Sequence, residues 1–359
     1  MVCDDSAVFR TVLKRALEAD PEILVTAVAC NGQEAIAFAQ RETFDVVVLD
    51  IEMPIMDGLT ALPKILAAQP RTKIVIASTL THRNASISLQ ALERGAADYV
   101  TKPTATSYMS GGGDDFRREL VAKVRALAGR GAPTVGAARA MPAVTGAPPM
   151  AKGGRDFVLR KSTLRRVEAL AIGSSTGGPQ ALQTLLVGLK NDLKRVPVLI
   201  TQHMPPTFTK ILAEHISRST GLRASEGIDG ESVCAGRIYV APGDFHMEVV
   251  RRGTEVTLRL HQGERENFCR PAVDPMLRSM VTCWYGAVLT VILTGMGQDG
   301  MNGARNLVEA GGTVVAQDED SSVVWGMPGA VAMAGLCSAV MPIDKLAEHV
   351  RGVLAGRAG

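Results

Sequence analysis

The chain has 359 residues, 46% of them apolar and 21% charged, which is too long for one ordinary domain, predicts about two, and excludes disorder throughout. The longest near-continuous apolar run, Ala287 to Leu293, falls far short of the roughly 20 residues that span a bilayer, and Met1-Val2-Cys3-Asp4-Asp5 is acidic where a signal peptide is basic, so a cytoplasmic chain without membrane insertion is expected. The formal charge of +3 divides into 14 bases and 16 acids over residues 1–128, 8 and 2 over 129–169, and 17 and 18 over 170–359, which leaves neither flank basic enough for a nucleic-acid surface.

From the N-terminus, strand-like runs alternate with helical periodicity, the pattern of βαβ units in a parallel sheet. Ser6 is placed to cap a helix with apolar positions at Phe9, Val12, Leu13, Ala16 and Leu17. Ile23–Ala29 reads as a strand, Gln33–Gln40 as a helix, Asp45–Asp50 as a buried strand and Gly58–Ala68 as a helix. Lys73–Ala77 is again strand-like, Ile87–Arg94 helical, Asp98–Val100 a short strand and Phe116–Ala128 a closing helix. The count is a (βα)5 domain over residues 1–128. Only three residues precede Asp4, so strand one is expected to be clipped: either the native start lies upstream of Met1 or the strand is unusually short and the domain weakened. Mass spectrometry of the native protein separates the two.

Residues 129–160 are rich in Gly, Pro and Ala, carry no acid as far as Arg155, and lack apolar periodicity. Such a segment cannot bury enough surface to offset its ordering entropy and reads as a flexible basic linker. Arg160, Lys161, Arg165 and Arg166 continue the charge, as a solvated face or as a contact for an acidic partner. The six cysteines are scattered without CxxC spacing and are expected to be reduced and structural.

Residues 161–359 resume the alternation. Apolar strands are expected at Ala169–Gly173, Pro197–Thr201 and Ala287–Thr294, with a short strand at Arg237–Val240 and an antiparallel hairpin over Glu248–His261. The second domain is therefore read as doubly wound α/β, mostly parallel, with a β-hairpin.

In open α/β sheets, functional groups collect at the carboxyl ends of strands. In the first domain these ends carry Asp4 and Asp5, then Asp50, then Ser78 and Thr79, then Lys102. Clustered carboxylates suit a hard cation such as Mg2+, beside which Asp50 can accept a phosphoryl group while Lys102 neutralises the incoming charge. The bland alternative is three unrelated loop caps.

In the second domain Gly173-x-Ser175-x-Gly177 has nucleophile-elbow spacing in a strand–turn–helix context, with the Thr176 N–H aimed at a developing oxyanion. The same loop is also compatible with a phosphate-binding or purely structural turn. A serine nucleophile needs a base and an orienting acid. His203 follows a strand directly, with His246 as runner-up; Asp299 follows the strand at 287–294 and is otherwise only a helix N-cap. A dinucleotide site wants an acid after the next strand, where Gln202-His203 stands instead.

Two sets of motifs carry a family resemblance. CDDS at 3–6, LDIEMPIMDG at 49–58, the Ser78-Thr79 pair and TKP at 101–103 resemble response-regulator receiver domains of flavodoxin-like fold. IGSSTGGP at 172–179, TQHMPP at 201–206, YVAPGD at 239–244, RPAVDPM at 270–276, LTGMGQDG at 293–300 and VWGMPG at 324–329 resemble the chemotaxis-specific protein-glutamate methylesterases. The resemblance implies that Asp50 is phosphorylated, that Asp4, Asp5, Asp50 and the Glu52 carbonyl bind Mg2+, and that Ser78 and Lys102 read the phosphate. It implies Ser175 as nucleophile, His203 as base, Asp299 as orienting acid, and Thr176 with the Met296 N–H as oxyanion donors, with no cofactor for ester hydrolysis. It further implies a histidine kinase as phosphodonor, cytoplasmic helices of methyl-accepting chemotaxis receptors as substrate, demethylation and deamidation there, a receiver that covers the catalytic edge until phosphorylated, and a monomer. The alternative is a phosphorylation-switched interaction module with little hydrolytic activity.

Overall fold

The computed structural model describes residues 1–79, 81–103, 113–129, 157–162 and 166–356; most of the segment expected as linker lies outside the described residues. The first domain runs β1 (Val2–Cys3), α1 (Ala7–Glu18), β2 (Val28–Ala29), α2 (Gly32–Ala39), β3 (Val46–Asp50), α3 (Gly58–Ala68), β4 (Lys73–Thr79), α4 (His82–Glu93), β5 (Asp98–Lys102) and α5 (Gly113–Leu127). The Ser6 hydroxyl caps α1 by accepting from the Phe9 N–H. All five strands are parallel, in the order β2-β1-β3-β4-β5, the flavodoxin-like order. Apolar alternation sorts the two faces: Val48, Val75 and Ala77 pack beneath α1 and α5 with Leu13, Leu17, Phe116 and Leu120, whereas Leu49, Ile74 and Ile76 pack beneath α2, α3 and α4 with Ala35, Leu62, Ile65 and Leu89.

Three strands of this domain differ from expectation by two residues or more, β5 running on from the expected Val100 to Lys102. The strand expected over 23–29 contracts to Val28–Ala29, matching a β1 of only two residues that nevertheless pairs with both neighbours, Val2 lying opposite Val28 and Val48. Strand β4 runs on to Thr79, which lies opposite Lys102.

The second domain runs β6 (Ala169–Ser174), α6 (Gly178–Leu189), β7 (Val198–Gln202), α7 (Phe208–Thr220), β8 (Arg223–Glu226), β9 (Arg237–Val240), the hairpin β10 (His246–Arg252) and β11 (Glu255–His261), α8 (Val273–Trp284), β12 (Val288–Ile292), α9 (Met301–Glu309), β13 (Thr313–Gln317), α10 (Met327–Met333), β14 (Ala339–Met341) and α11 (Ile343–Leu354). Its seven-stranded sheet is parallel throughout, in the order β14-β13-β12-β6-β7-β9-β8, with β10 and β11 paired antiparallel outside it. From β6 the chain proceeds through β7 to one edge; from β12 it proceeds through β13 to the other. The carboxyl ends of β6 and β12 therefore border the crevice where connections diverge, the place where doubly wound sheets bind ligands. Phe157 packs against Trp325, ring centroids 6.3 Å apart, and the Arg160 N–H donates to the Cys337 carbonyl, so these residues, expected in the linker, lie against the second domain.

The two domains meet through α4 and β5 of the first and α6 and α7 of the second. Tyr99 stacks on Phe208 at 4.4 Å, and the Gln180 amide donates to the Leu92 and Ala96 carbonyls at 2.8 and 2.7 Å. Among the described residues no helix is long and apolar enough to cross a membrane.

Candidate active site

Strands β6 and β7 lie side by side with Ser174 opposite Gln202, and the His203 N–H donates to the Ser174 carbonyl. The next residue of each strand, Ser175 and His203, thus leaves the sheet in parallel at the same edge. The Ser174 hydroxyl and the Gln202 amide bond to each other at 2.7 Å on one face, which fixes the turn from beneath. Gly177 is left-handed (φ 75°), and a side chain on Gly295 would meet the Ser175 Cβ at 2.8 Å, so glycine at these two positions lets the loop after β12 close against the serine. The Ser175 N–H donates to the Thr294 carbonyl across that crevice.

Asp299 is reached from β12. Its carboxylate is 1% exposed and accepts from the main-chain N–H groups of Val273, Asp274 and Gly300 and from the Asn267 amide. Val273 and Asp274 open α8, whose N-terminal dipole favours an anion. Burial alone would raise the Asp299 pKa; hydrogen bonding to His203 and to these N–H groups outweighs it and holds the carboxyl below its ordinary range. His203 Nε2 lies 2.7 Å from Asp299 Oδ2. Burial disfavours the charged imidazole, but the Cys269 sulfur and the Asp299 carboxylate raise its pKa to about 10. His203 and Asp299 are thus brought together as expected. Ser175 is brought to the same edge, yet among the described residues its hydroxyl has no hydrogen-bond partner, and the second ring nitrogen, Nδ1, faces Cys269 Sγ at 3.4 Å. His246, the runner-up base, instead bonds the Glu264 carbonyl through Nε2 and receives the Ala272 N–H on Nδ1.

At the other sheet edge, ligand atoms of Asp4, Asp5 and Asp50 lie within 4.8 Å of one another, Asp4 and Asp50 buried and Asp5 exposed. Lys102 Nζ bridges two of them, 2.6 Å from Asp4 and 2.8 Å from Asp50. Burial raises the Asp50 pKa to about 6 against the pull of Lys102. Ser78 departs from expectation: its hydroxyl is buried under α4, 2.8 Å from the Ser88 hydroxyl. Side chains alternate faces along a strand, and Thr79, opposite Lys102, is the β4 hydroxyl that shares the acid cluster's face. The Glu52 carboxylate is turned to the Asn84 amide.

Residues 170–350 match the CheB methylesterase family and residues 1–110 the response regulator receiver domain. A protein-glutamate methylesterase/protein-glutamine glutaminase of Paramagnetospirillum magneticum is 52% identical over 99% of this chain and 96% of its own length, and one of Azospirillum brasilense 53% identical over 98% and 91%. The chain belongs to the CheB methylesterase family. The Thermotoga maritima CheB methylesterase catalytic domain superposes with a TM-score of 0.51 and 38% identity, covering 52% of this chain and 98% of that one.

A side-chain contact joins the two domains beside Ser175. The Thr176 hydroxyl, one residue from Ser175, donates to Asp98 of β5 at 2.6 Å; Asp98 also pairs with Lys123 at 3.3 Å. Among the described residues the main-chain N–H groups of Thr176 and Met296 have no acceptor. Met296 borders a cleft of about 850 Å3 between the domains, lined on the receiver side by Arg117, Arg118 and Arg125. Asp98, Asn267, Cys269 and Asp274 escape the sequence reading. Asp274 stands in the RPAVDPM motif, where its carboxylate accepts from the Gly303 N–H; Asp98 opens β5, and Asn267 and Cys269 sit outside any motif or periodic run.

Proposed function

We propose that this chain is a phosphorylation-controlled serine hydrolase that removes γ-methyl esters from glutamates, and deamidates glutamines, on the cytoplasmic helices of methyl-accepting chemotaxis receptors. The observation that carries it is the 2.7 Å bond of His203 to the enclosed Asp299 carboxylate, at the strand edge that also presents Ser175. In the reaction Ser175 Oγ attacks the ester carbonyl while His203 accepts its proton. Asp299, bonded to Nε2, leaves Nδ1 as the base and stabilises the imidazolium. The Thr176 and Met296 N–H groups receive the oxyanion. The imidazolium returns its proton to the leaving methoxide, releasing methanol; water then attacks the acyl-enzyme by the same route in reverse, yielding glutamate and free Ser175. Deamidation differs only in releasing ammonia. No cofactor is proposed for this step.

The receiver supplies control. Asp50 accepts a phosphoryl group from a histidine kinase, and Lys102 and the Thr79 hydroxyl meet it. Asp4, Asp5, Asp50 and the Glu52 carbonyl are the residues to hold Mg2+, and the three clustered carboxylates suit such a hard cation. When bound, Mg2+ neutralises charge on the transferring phosphoryl group. In the unphosphorylated state α4 and β5 lie on the catalytic edge, with Asp98 on Thr176 and Tyr99 on Phe208. Such contacts slow access to Ser175, and phosphorylation releases them. The division proposed is a receiver over 1–128 and a catalytic domain over 161–359, the two joined by the linker, acting as a monomer in the cytoplasm.

The test is methanol release from membranes carrying methylated receptor, with and without a small phosphodonor, for the parent chain and Asp50→Asn. Release that rises with the donor only in the parent supports the reading. Equal rates reject phosphorylation control, and no release in either condition leaves the interaction module.

A further inference from the structure

The loop between β11 and α8 brings to the active site a sulfur that ester hydrolysis does not use. Cys269 Sγ lies 3.4 Å from His203 Nδ1, and Nε2 of the same ring lies 2.7 Å from Asp299. Cysteine, histidine and aspartate thus form a relay that shares its base and acid with Ser175. Among the other cysteines, Cys3, Cys283 and Cys337 are buried with thiols pushed up by desolvation, Cys30 is bonded to the Glu34 carboxylate, and exposed Cys234 faces a main-chain carbonyl.

The loop is built to hold that sulfur in place. Asn267 and Phe268 are left-handed (φ 51° and 64°), conformations that cost energy for residues with a Cβ. Glu266 and Cys269 exchange main-chain hydrogen bonds, and the Asn267 amide is tied to the Asp299 and Asp274 carboxylates. Other charges nearby are already engaged. Glu266 pairs with Arg278, Arg270 with Asp244, and Asp299 lies on the far side of the ring. The group that faces the sulfur is therefore the His203 imidazole, whose Nδ1 is placed to take the thiol proton when the sulfur attacks.

We propose that Cys269 is a second nucleophile sharing His203 with Ser175, and that it is a site of modification by hydroperoxides and other soft electrophiles. The thiolate attacks one peroxide oxygen; an S–O bond forms, the O–O bond breaks, and the departing alkoxide or hydroxide takes the proton of the His203 imidazolium. The sulfur is oxidised by two electrons to a sulfenic acid, and the hydroperoxide is reduced to alcohol or water. The oxidised sulfur then stands on the nitrogen that Ser175 needs, so oxidation of Cys269 stops ester hydrolysis.

The first measurement labels the full chain with iodoacetamide at pH 6.5 and follows each cysteine peptide by mass, with exposed Cys234 as internal reference. Cys269 is expected to react at least about tenfold faster than Cys234, and His203→Gln to remove that advantage. The second treats the chain with hydrogen peroxide, traps sulfenic acid with dimedone and measures methanol release. The adduct at Cys269 is expected to accumulate in step with lost activity, and Cys269→Ser to keep its own untreated rate. Equal labelling of Cys269 and Cys234, or lost activity without an adduct at Cys269, overturns the proposal. If Cys269→Ser starts too slow to assay, labelling and adduct formation decide alone; neither requires the methylesterase reading to hold.

Discussion

The two sheet edges solve opposite electrostatic problems with the same architecture. At the receiver edge, Asp4, Asp5 and Asp50 crowd like charges together, and one amine, Lys102, is drawn between two of them. At the catalytic edge a single carboxylate, Asp299, receives three main-chain N–H groups and one amide. The first arrangement remains short of positive charge and so is ready for a cation or for protons; the second is saturated and so keeps its acid ionised beside an imidazole. A strand end collects side chains in both cases, but the surrounding N–H donors decide whether the site trades charge with solvent or stores it.

Removing the hydroxyl proposed as nucleophile tests this contrast most severely. Ser175→Ala is expected to lower methanol release by about 10^4-fold or more while leaving the melting temperature unchanged, since among the described residues the hydroxyl has no hydrogen-bond partner. Next, Asp299→Asn is expected to cost roughly 10^3- to 10^4-fold in kcat by the wrong tautomer and about 1–3 kcal/mol in denaturant stability, because buried N–H donors lose an ionised acceptor. The matching change at the receiver edge, Asp4→Asn, is expected to stabilise or leave unchanged the same measurement, since it relieves like-charge crowding. A loss of stability there as large as at Asp299 breaks the comparison.

The pH dependences run in different windows. The His203 pKa is raised from 6.5 to about 10, so the stabilisation from its ion pair is fully present below about pH 6.5 and lost as pH rises through 10. Since the base must be neutral, methanol release by the unphosphorylated chain is expected to climb about tenfold per unit between pH 7 and 9. A flat profile there breaks this account. Asp50, raised to about 6, is mostly a carboxylate only above that value; phosphorylation by a small donor is expected to fall about fivefold between pH 6 and 5, read by mass. The smallest effect is expected at the interface. Tyr99→Ala removes the stack on Phe208, and a ring pair of this kind is worth about 0.5–1.5 kcal/mol, so basal methanol release is expected to rise about two- to tenfold.

The strand order of the receiver and the convergence of His203 with Asp299 were legible because apolar runs end in chemistry-bearing residues, and a parallel sheet gathers those ends. The expected strand stopped at Ala77, two residues short of Thr79, and so did not sort Ser78 and Thr79 between the faces; with Ala77 opposite Asp50, the two-residue period puts Thr79 on the acid cluster's face and Ser78 on the other. Strand β14 is too short to carry a pattern and β8, Arg-Ala-Ser-Glu, is too polar to show one, whereas Thr313–Gln317 had one that passed unread. Asn267 and Cys269 sit in an irregular loop whose path depends on left-handed residues that no periodicity announces. Asp98 was read only as the start of a strand, because its partner Thr176 belongs to the other domain.

That last contact has a geometric corollary. Asp98, which holds Thr176, and Lys102, which holds Asp50, are the two ends of β5, four residues and roughly 13 Å apart along one extended backbone. The route proposed from Asp50 to Ser175 therefore has a span no longer than a single strand, and its bandwidth is set by how stiffly β4 grips that strand from the side.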